Sequence, residues 1–518
     1  MNIFNTPEKY RREFLKQKLI RYDCKEFLGK SIISVFFTRY CRVACPFCFF
    51  KSKPARGPQR EKDQFSDAGI MKFVEFANKA NVGYLHISGG GEPMDMKKAV
   101  LTCIEKINTP HIVLVTSGIW AMTKKSATAY LDCIEDTIKK RKTPTKVVIR
   151  LSLSADHSIN LGLEPARNLI DIFNQRYAKS DTLKLQLHSF FGDKTLTKLL
   201  LHYPSVKIME GDPHKRASDN KLLVKVIPKK ITLTLPSGLE IVVGLAKVFF
   251  CNLRINLNSK KDCQKATNVF DKDLKESEDY FPSVVFNTNG SKGLDWSVYY
   301  NGNITTWQNQ SLDGLFNLYE DSYEKILDST FSDPLRLSFI EKGAKYREKI
   351  ILEVDPKSML RMKAISLRDF ASSSLFEEDR LKLYYSIRVT QDYLKEGRVN
   401  YDVLDCMPKE LVSLIKSTKE EVKSKYLKSD YSIVDQYSKN INSGIKWRDL
   451  LELIRLGHYT LPKAKITLAI KNYNKFNKHS RIQGLSQLPL KEIGIEKRLT
   501  ERLVYMKKGV RIKHKKKV

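Results

Sequence analysis

The sequence predicts an α/β protein built on a parallel sheet, and three observations carry that expectation. Residues 31–211 alternate short, β-branched apolar runs with longer amphipathic stretches. Such alternation, closed by right-handed crossovers, lays the strands side by side in a sheet that is open or closed into a barrel. Polar and glycine-rich turns follow the strand candidates, as in Ser88-Gly89-Gly90-Gly91 and Thr116-Ser117-Gly118. Loops at the carboxyl ends of parallel strands are where such folds carry their chemistry. Beyond residue 211 the pattern changes, first to hairpins and then to a polar, mostly helical stretch.

The elements follow in order. Strands are expected at 32–37, 84–88, 112–116, 146–152 and 182–187, from their runs of Val, Ile and Leu. Helices are expected at 67–80, 96–106, 125–141, 166–177 and 194–201, and Ser66 is the expected N-cap of the first. Pro236-Ser237-Gly238 separates ITLTL from LEIVVGL as a hairpin turn, and Asn301-Gly302 does the same between DWSVYY and NITTW. From about residue 366 the chain reads as helical and polar. The division expected is an N-terminal helical segment (1–30), a sheet core (31–220), a β-rich extension (221–355) and a helical, basic C-terminal domain with a flexible tail (356–518).

At 518 residues the chain exceeds what one core usually organises, and 42% hydrophobic content argues against wholesale disorder. The N-terminus becomes charged almost at once, which does not fit a signal peptide, and no apolar stretch reaches a membrane span. The expectation is a cytoplasmic protein with no membrane partner. A net charge of +33 draws polyanions, and the segments 461–481 and 507–517 interleave Lys and Arg with few acids. Nucleic acid is therefore the candidate macromolecular partner; the competing reading is a solvated lysine face.

Nine cysteines are too few for a disulfide framework at this length, but three of them, Cys41, Cys45 and Cys48, fall within eight residues. They occupy TRYCRVACPFCFFK, directly after the first strand. Three thiolates at this spacing on one loop can ligate three irons of a [4Fe–4S] cluster and leave the fourth iron open. A zinc site would need a fourth ligand, and the nearest candidates, Cys24 and His86, would have to be brought in by folding.

The C-x3-C-x-aromatic-C triad after the first strand resembles the signature of the radical S-adenosylmethionine (SAM) superfamily. The resemblance spans roughly residues 31–211 and weakens toward 343. It implies a partial (β/α)6 barrel, metal ligands Cys41, Cys45 and Cys48, and Phe47 beside the adenine of SAM. Gly90, Gly91, Glu92 and Pro93 match the family's Gly-Gly-Glu-Pro motif, which binds the amino group of SAM. Thr116-Ser117-Gly118 stands where the family often has Thr-Asn-Gly, and Ser152 matches the serine of its Ser-Leu-Asp-Ala segment. Ser154 replaces the usual aspartate there, with Asp156 a displaced substitute. Gln186 and His188 end the fifth strand and would face the cavity under period-two alternation.

The resemblance implies reductive cleavage of SAM to a 5′-deoxyadenosyl radical that abstracts hydrogen from a substrate. It also implies an external one-electron donor such as flavodoxin or ferredoxin. Residues 297–329 resemble a cysteine-free form of the SPASM or twitch-like extension found after many such barrels, with Trp307 near where a cysteine would fall. Three readings stand: a radical SAM enzyme acting on a nucleic acid or nucleotide, a radical SAM peptide or protein maturase, and a non-catalytic nucleic-acid-binding protein with a structural metal. The intact Gly-Gly-Glu-Pro segment disfavours the third, since a structural staple has no need of a SAM pocket.

Overall fold

The computed structural model describes residues 2–16, 18–43, 52, 64–190, 193–211, 229–246, 260, 283–306, 316–356, 378–438, 451 and 461–480. Cys45, Phe47, Cys48, Cys251, Cys263, Trp307 and the basic tail at 507–517 lie outside the described residues.

The five expected strands are β1 (Ser31–Phe36), β2 (Val82–Ser88), β3 (His111–Thr116), β4 (Lys146–Ser152) and β5 (Leu183–Phe190). They pair in chain order, all parallel. Strand β6 (Lys207–Gly211) is followed by the first hairpin, β7 (Lys229–Thr234) with β8 (Glu240–Ala246). Strand β9 (Val284–Phe286) is followed by the second, β10 (Lys292–Tyr299) with β11 (Ile304–Thr306). Gly238 and Gly302 take the positive φ values, 86° and 83°, that these turns require.

Both hairpins are built into the main sheet. Strand β8 lies parallel beside β5, and β10 lies parallel beside β1. The order is β11-β10-β1-β2-β3-β4-β5-β8-β7-β6, with β9 paired to β10. The protein is mixed α/β around a central, mostly parallel sheet.

The two faces of that sheet differ in chemistry. Register aligns Trp296 and Val298 with Ile33 and Val35, then Leu85 and Ile87, then Ile112 and Leu114. The same face continues through Val147, Ile149 and Leu151, then Leu183, Leu185 and Leu187. All of these belong to one buried core. Helix α1 (Pro7–Lys16) precedes the sheet, and helices α2 (Asp67–Lys79), α3 (Lys97–Lys106), α4 (Lys124–Lys139), α5 (Ala155–Leu161), α6 (Glu164–Arg176) and α7 (Thr195–Leu200) follow its strands. Their apolar stripes, including Phe73, Phe76, Ile104, Leu131 and Phe173, join that core. Phe76 meets Trp296 edge to face at 5.6 Å. Helix α2 starts where the sequence expects, with the Ser66 hydroxyl accepting from Gly69 N at 3.1 Å.

The opposite face carries Ser34, His86, Arg150, Ser152, Lys184, Gln186, His188, Ser297 and Tyr299. A parallel sheet with both faces under helices reads apolar on both sides. Here the opposite face is mixed, its polar side chains standing among Ile32, Phe36, Val113, Val115 and Val148.

Helices α8 (Tyr323–Ser332), α9 (Pro334–Glu341), α10 (Ala344–Leu352), α11 (Asp379–Lys395), α12 (Tyr401–Asp405), α13 (Lys409–Lys416) and α14 (Lys419–Leu427) form a helical layer with α1. Twelve of the seventeen side chains of α11 are buried, including Tyr384, Tyr385 and Tyr393. Arg11 of α1 donates to both oxygens of the buried Asp333, at 3.0 and 2.5 Å. Packing runs across position 355, since Arg388 of α11 pairs with Glu353 at 3.0 Å. Helix α15 (Ile433–Ser438) and helix α16 (Lys463–Ser480) share a second, small core of Ile433, Val434, Leu451, Ala469 and Ile470. No described helix is long and apolar enough to cross a membrane.

Candidate functional site

The site is built where β1 to β5 end. Past β1 the chain forms a long excursion clamped at its neck: Thr38 bridges Gln64, and Phe65 N donates to the Phe37 carbonyl at 2.9 Å. Phe37, Phe65 and Phe73 pack beneath this neck with ring centroids 6.2–6.4 Å apart. Cys41 stands on the described limb of the excursion, half-buried. Its neighbours are fixed on both sides. Tyr40 N donates to Thr38 Oγ1 at 2.9 Å, Arg42 pairs with Asp95 at 2.6 Å, and Asn160 of α5 donates to the Val43 carbonyl at 2.8 Å.

The Gly-Gly-Glu-Pro loop sits directly on this limb. Glu92 N donates to the Tyr40 carbonyl at 2.9 Å. Gly90 has φ 89°, and a Cβ there would lie 2.6 Å from the Thr38 carbonyl oxygen. At Gly91 a Cβ would overlap the Tyr40 carbonyl itself. Glycine is required at these two positions because the two loops touch backbone to backbone. The loop's first glycine, Gly89, is open by comparison: its nearest neighbour is the Gly91 carbonyl at 3.4 Å.

Glu92 is 2% exposed and holds the next loop in place. Its carboxyl accepts from Thr116 Oγ1 at 2.7 Å, Ser117 N at 2.9 Å, Ser117 Oγ at 2.5 Å and Met94 N at 3.2 Å. Burial pushes this carboxyl above the usual range, and the four donors act against that rise. With its oxygens so engaged, Glu92 presents its loop's backbone, rather than its side chain, to any ligand. Thr116 is likewise occupied: its hydroxyl also accepts from Gly118 N at 3.0 Å and Trp120 Nε1 at 2.9 Å. Pro93 is buried as the first residue of a short 3-10 turn, where its missing N–H is no loss.

Ser117, Ser152, His157 and Ser158 line one narrow cleft together with Leu153 and Gly162. Ser152 pairs in register with His188, and Leu153 N donates to the His188 carbonyl at 2.7 Å. Ser154, which stands where the resemblance expects an aspartate, is the N-cap of α5: its hydroxyl accepts from His157 N and lies 2.8 Å from His157 Nδ1. Asp193 fixes the adjoining loop through Ala155 N at 2.8 Å and Thr195 N at 2.7 Å.

The structure therefore gathers Cys41, Gly90, Gly91, Glu92, Pro93, Thr116, Ser117, Ser152 and His188 at one end of the sheet. Arg150, His157, Asn160 and Trp120 join them and are not among the sequence-derived candidates. Parity along β4 was the available signal for Arg150, which shares a face with Ser152. Asn160 has no such signal, because its partner Val43 is 117 residues away; Trp120 bonds Thr116 within the same turn, four residues back.

Burial pushes both His157 and His188 down to about 4, with Asp193 opposing the shift at His157 and Arg150 and His157 adding to it at His188. Both imidazoles are thus neutral at pH 7. Between the ordinary value of 6.5 and about 4 the unfolded chain binds protons that the native state refuses. Stability present above pH 6.5 is therefore lost as pH falls through this window, by roughly 3 kcal/mol per histidine at full protonation. Urea midpoints measured from pH 7 to 4.5 should fall, and a His157→Gln/His188→Gln double variant should fall less steeply.

Among the described residues no three His, Cys, Asp or Glu side chains converge as a metal site; Cys45 and Cys48 lie outside those residues. No protein-family model matches the chain. No curated protein matches it either.

Proposed function

We propose that this chain is a radical SAM enzyme whose sheet forms the wall of a partial (β/α)6 barrel. One observation carries the reading: the Gly-Gly-Glu-Pro loop is docked backbone to backbone on the limb that carries Cys41, at the ends of adjacent parallel strands. That contact sets Cys41 beside the glycine loop, which suits a shared ligand and which a structural metal staple would not need. Gly89 is half-buried, with nothing closer than 3.4 Å to the place of a Cβ, which leaves room for a ligand's amino group in this reading.

In this reading Cys41, Cys45 and Cys48 would hold a [4Fe–4S] cluster, which would supply the electron, received from a flavodoxin- or ferredoxin-like donor, for reductive cleavage of SAM to methionine and a 5′-deoxyadenosyl radical. Glu92 orients the Thr116-Ser117-Gly118 turn against the glycine loop. Ser117 and Ser152 offer hydroxyls to the ribose side of the site, and Phe47 offers an aromatic face to the adenine. The neutral His157 and His188 close the site with polar but uncharged rings. The protein's contribution is positioning and exclusion of water. A cytoplasmic setting is part of the same proposal.

Anaerobic reconstitution with iron and sulfide, followed by reduction in the presence of SAM, tests this directly. The expected product is 5′-deoxyadenosine, formed slowly even without substrate. Reconstituted, reduced protein that leaves SAM intact sinks the proposal.

A further inference from the structure

The densest charge in the chain lies far from the sheet and takes no part in the chemistry proposed above. Residues 461–518 hold seventeen Lys and Arg against three Asp and Glu, so 14 of the 33 net positive charges fall in the last 58 residues. Spread evenly over 518 residues, the same charge would leave about four there. Helix α16 lies in this stretch, and one of its faces is already used. Ala469 and Ile470 are buried and, with the flanking Ile466, pack on Ile433, Val434 and Leu451. Lys463, Ala464 and Lys471 are exposed, which fixes the face turned to solvent. At 3.6 residues per turn, positions 475 and 478 return to the face of Lys471. Lys465 stands on the flank, where both oxygens of Asp435 accept from it at 2.7 Å.

This pattern does not serve the helix. Lysines spaced i, i+4 and i, i+3 repel one another, and a merely solvated face carries both signs. Helices α1, α2 and α4 do carry both, in the pairs Glu8–Arg12, Glu75–Lys79 and Glu135–Lys139. Every other described helix of eight or more residues has at least one acid, whereas α16 has none in eighteen residues. Its first turn sets Lys463 and Lys465 where the helix dipole favours acids. A basic helix that lies in a membrane surface needs a free apolar face, and that of α16 is packed in its own core.

We propose that the lysine face of α16 binds the phosphate backbone of a nucleic acid. Ammonium groups act as point charges, so the contact neutralises phosphates without reading bases. From position 471 to 478 the helix advances about 10 Å, the span of about three phosphates along one strand of a duplex. Three lysines thus meet a polyanion of matching pitch. The surface is independent of SAM cleavage, and so is its test.

Full-length protein is used as purified, before any cluster is loaded. A labelled single-stranded RNA of about 20 nucleotides and a DNA duplex of about 20 base pairs are titrated at about 50 and 200 mM salt, with anisotropy as the readout. Salt-dependent binding is expected, and the tighter of the two identifies the partner. Neutralising the face with Lys471→Gln, Lys475→Gln and Lys478→Gln together should weaken binding by about tenfold or more. The slope of log K against log salt should become shallower by about two to three. Lys106→Gln, Lys140→Gln and Lys142→Gln together remove the same charge from exposed positions beside the sheet and should leave binding unaltered. Both triple variants should melt with the wild-type protein. The proposal is overturned if neither nucleic acid binds, or if the α16 variant binds as wild type does. It is overturned equally if the two triple variants lose the same affinity, which would assign binding to net charge rather than to α16. Binding to phosphatidylserine vesicles and to neither nucleic acid would overturn it in favour of a membrane surface.

Discussion

Alanine at Cys41, Cys45 or Cys48 is expected to take bound iron from about four per chain after reconstitution to near zero, with loss of the brown colour. In the proposed cluster each cysteine of the triad would hold a different iron, and a three-thiolate site that loses one ligand has no described cysteine beside it to substitute. Cys103 cannot take over. It is buried on α3 against the helix side of the sheet, and burial pushes its thiol far up, whereas a ligand must be a thiolate. Cys406 is exposed after α12, in the helical layer, so Cys406→Ala should retain full iron. Iron and acid-labile sulfide analysis of the four variants, with the ultraviolet–visible spectrum, reads this out. Stoichiometric zinc with no uptake of iron by the wild-type protein would falsify the cluster reading and return the triad to a structural metal.

Much of the sheet was legible because strand and helix periods are local properties. The runs at 112–116 and 146–152 declare their strands, and Ser66 declares the start of α2. The expectation that Gln186 and His188 share a face rests on the period of two, and register aligns them with Arg150 and Ser152. The same parity bears on Thr116. It continues Ile112 and Leu114 on the helix side, which accounts for its bonds to Trp120 and Glu92.

Other features were not legible, for physical reasons. Nothing local to 240–246 or 292–299 states that these strands will lie parallel beside β5 and β1, because pairing partners are chosen by the whole core. The hairpins could be read, but their place in the main sheet could not. Association of α1 with helices more than 300 residues later depends on the Arg11–Asp333 pair and on buried aromatic contacts such as Phe4 with Tyr426. Within the site, the Gly-Gly-Glu-Pro segment was visible as a motif, whereas its seat on Tyr40 required the fold. A glycine's tolerance cannot be judged from sequence when the clashing atom belongs to another loop.

That difference between neighbouring glycines gives the second large effect. Gly91→Ala would drive a methyl group into the Tyr40 carbonyl, and the obstruction is backbone, which cannot rotate aside. Relief requires the loops to part, which breaks the Glu92 N to Tyr40 carbonyl bond and shifts the limb bearing Cys41. Overpacking of this kind costs about 1–3 kcal/mol, and more where backbone must move. Gly89→Ala meets nothing closer than 3.4 Å and does not need a positive φ, so it should melt like the wild-type protein. Thermal unfolding of the two variants should therefore differ by several degrees, with Gly91→Ala the lower. Ligand binding should separate them differently. If the open backbone at Gly89 receives the amino group of SAM, Gly89→Ala should weaken SAM binding by about tenfold while its melting temperature stays put. Gly91→Ala should lose both stability and SAM affinity, because it displaces the limb on which the site is built. Equal melting temperatures for the two variants would mean that the loops are not seated on one another as described, and the contact that supports the functional reading would fall with them.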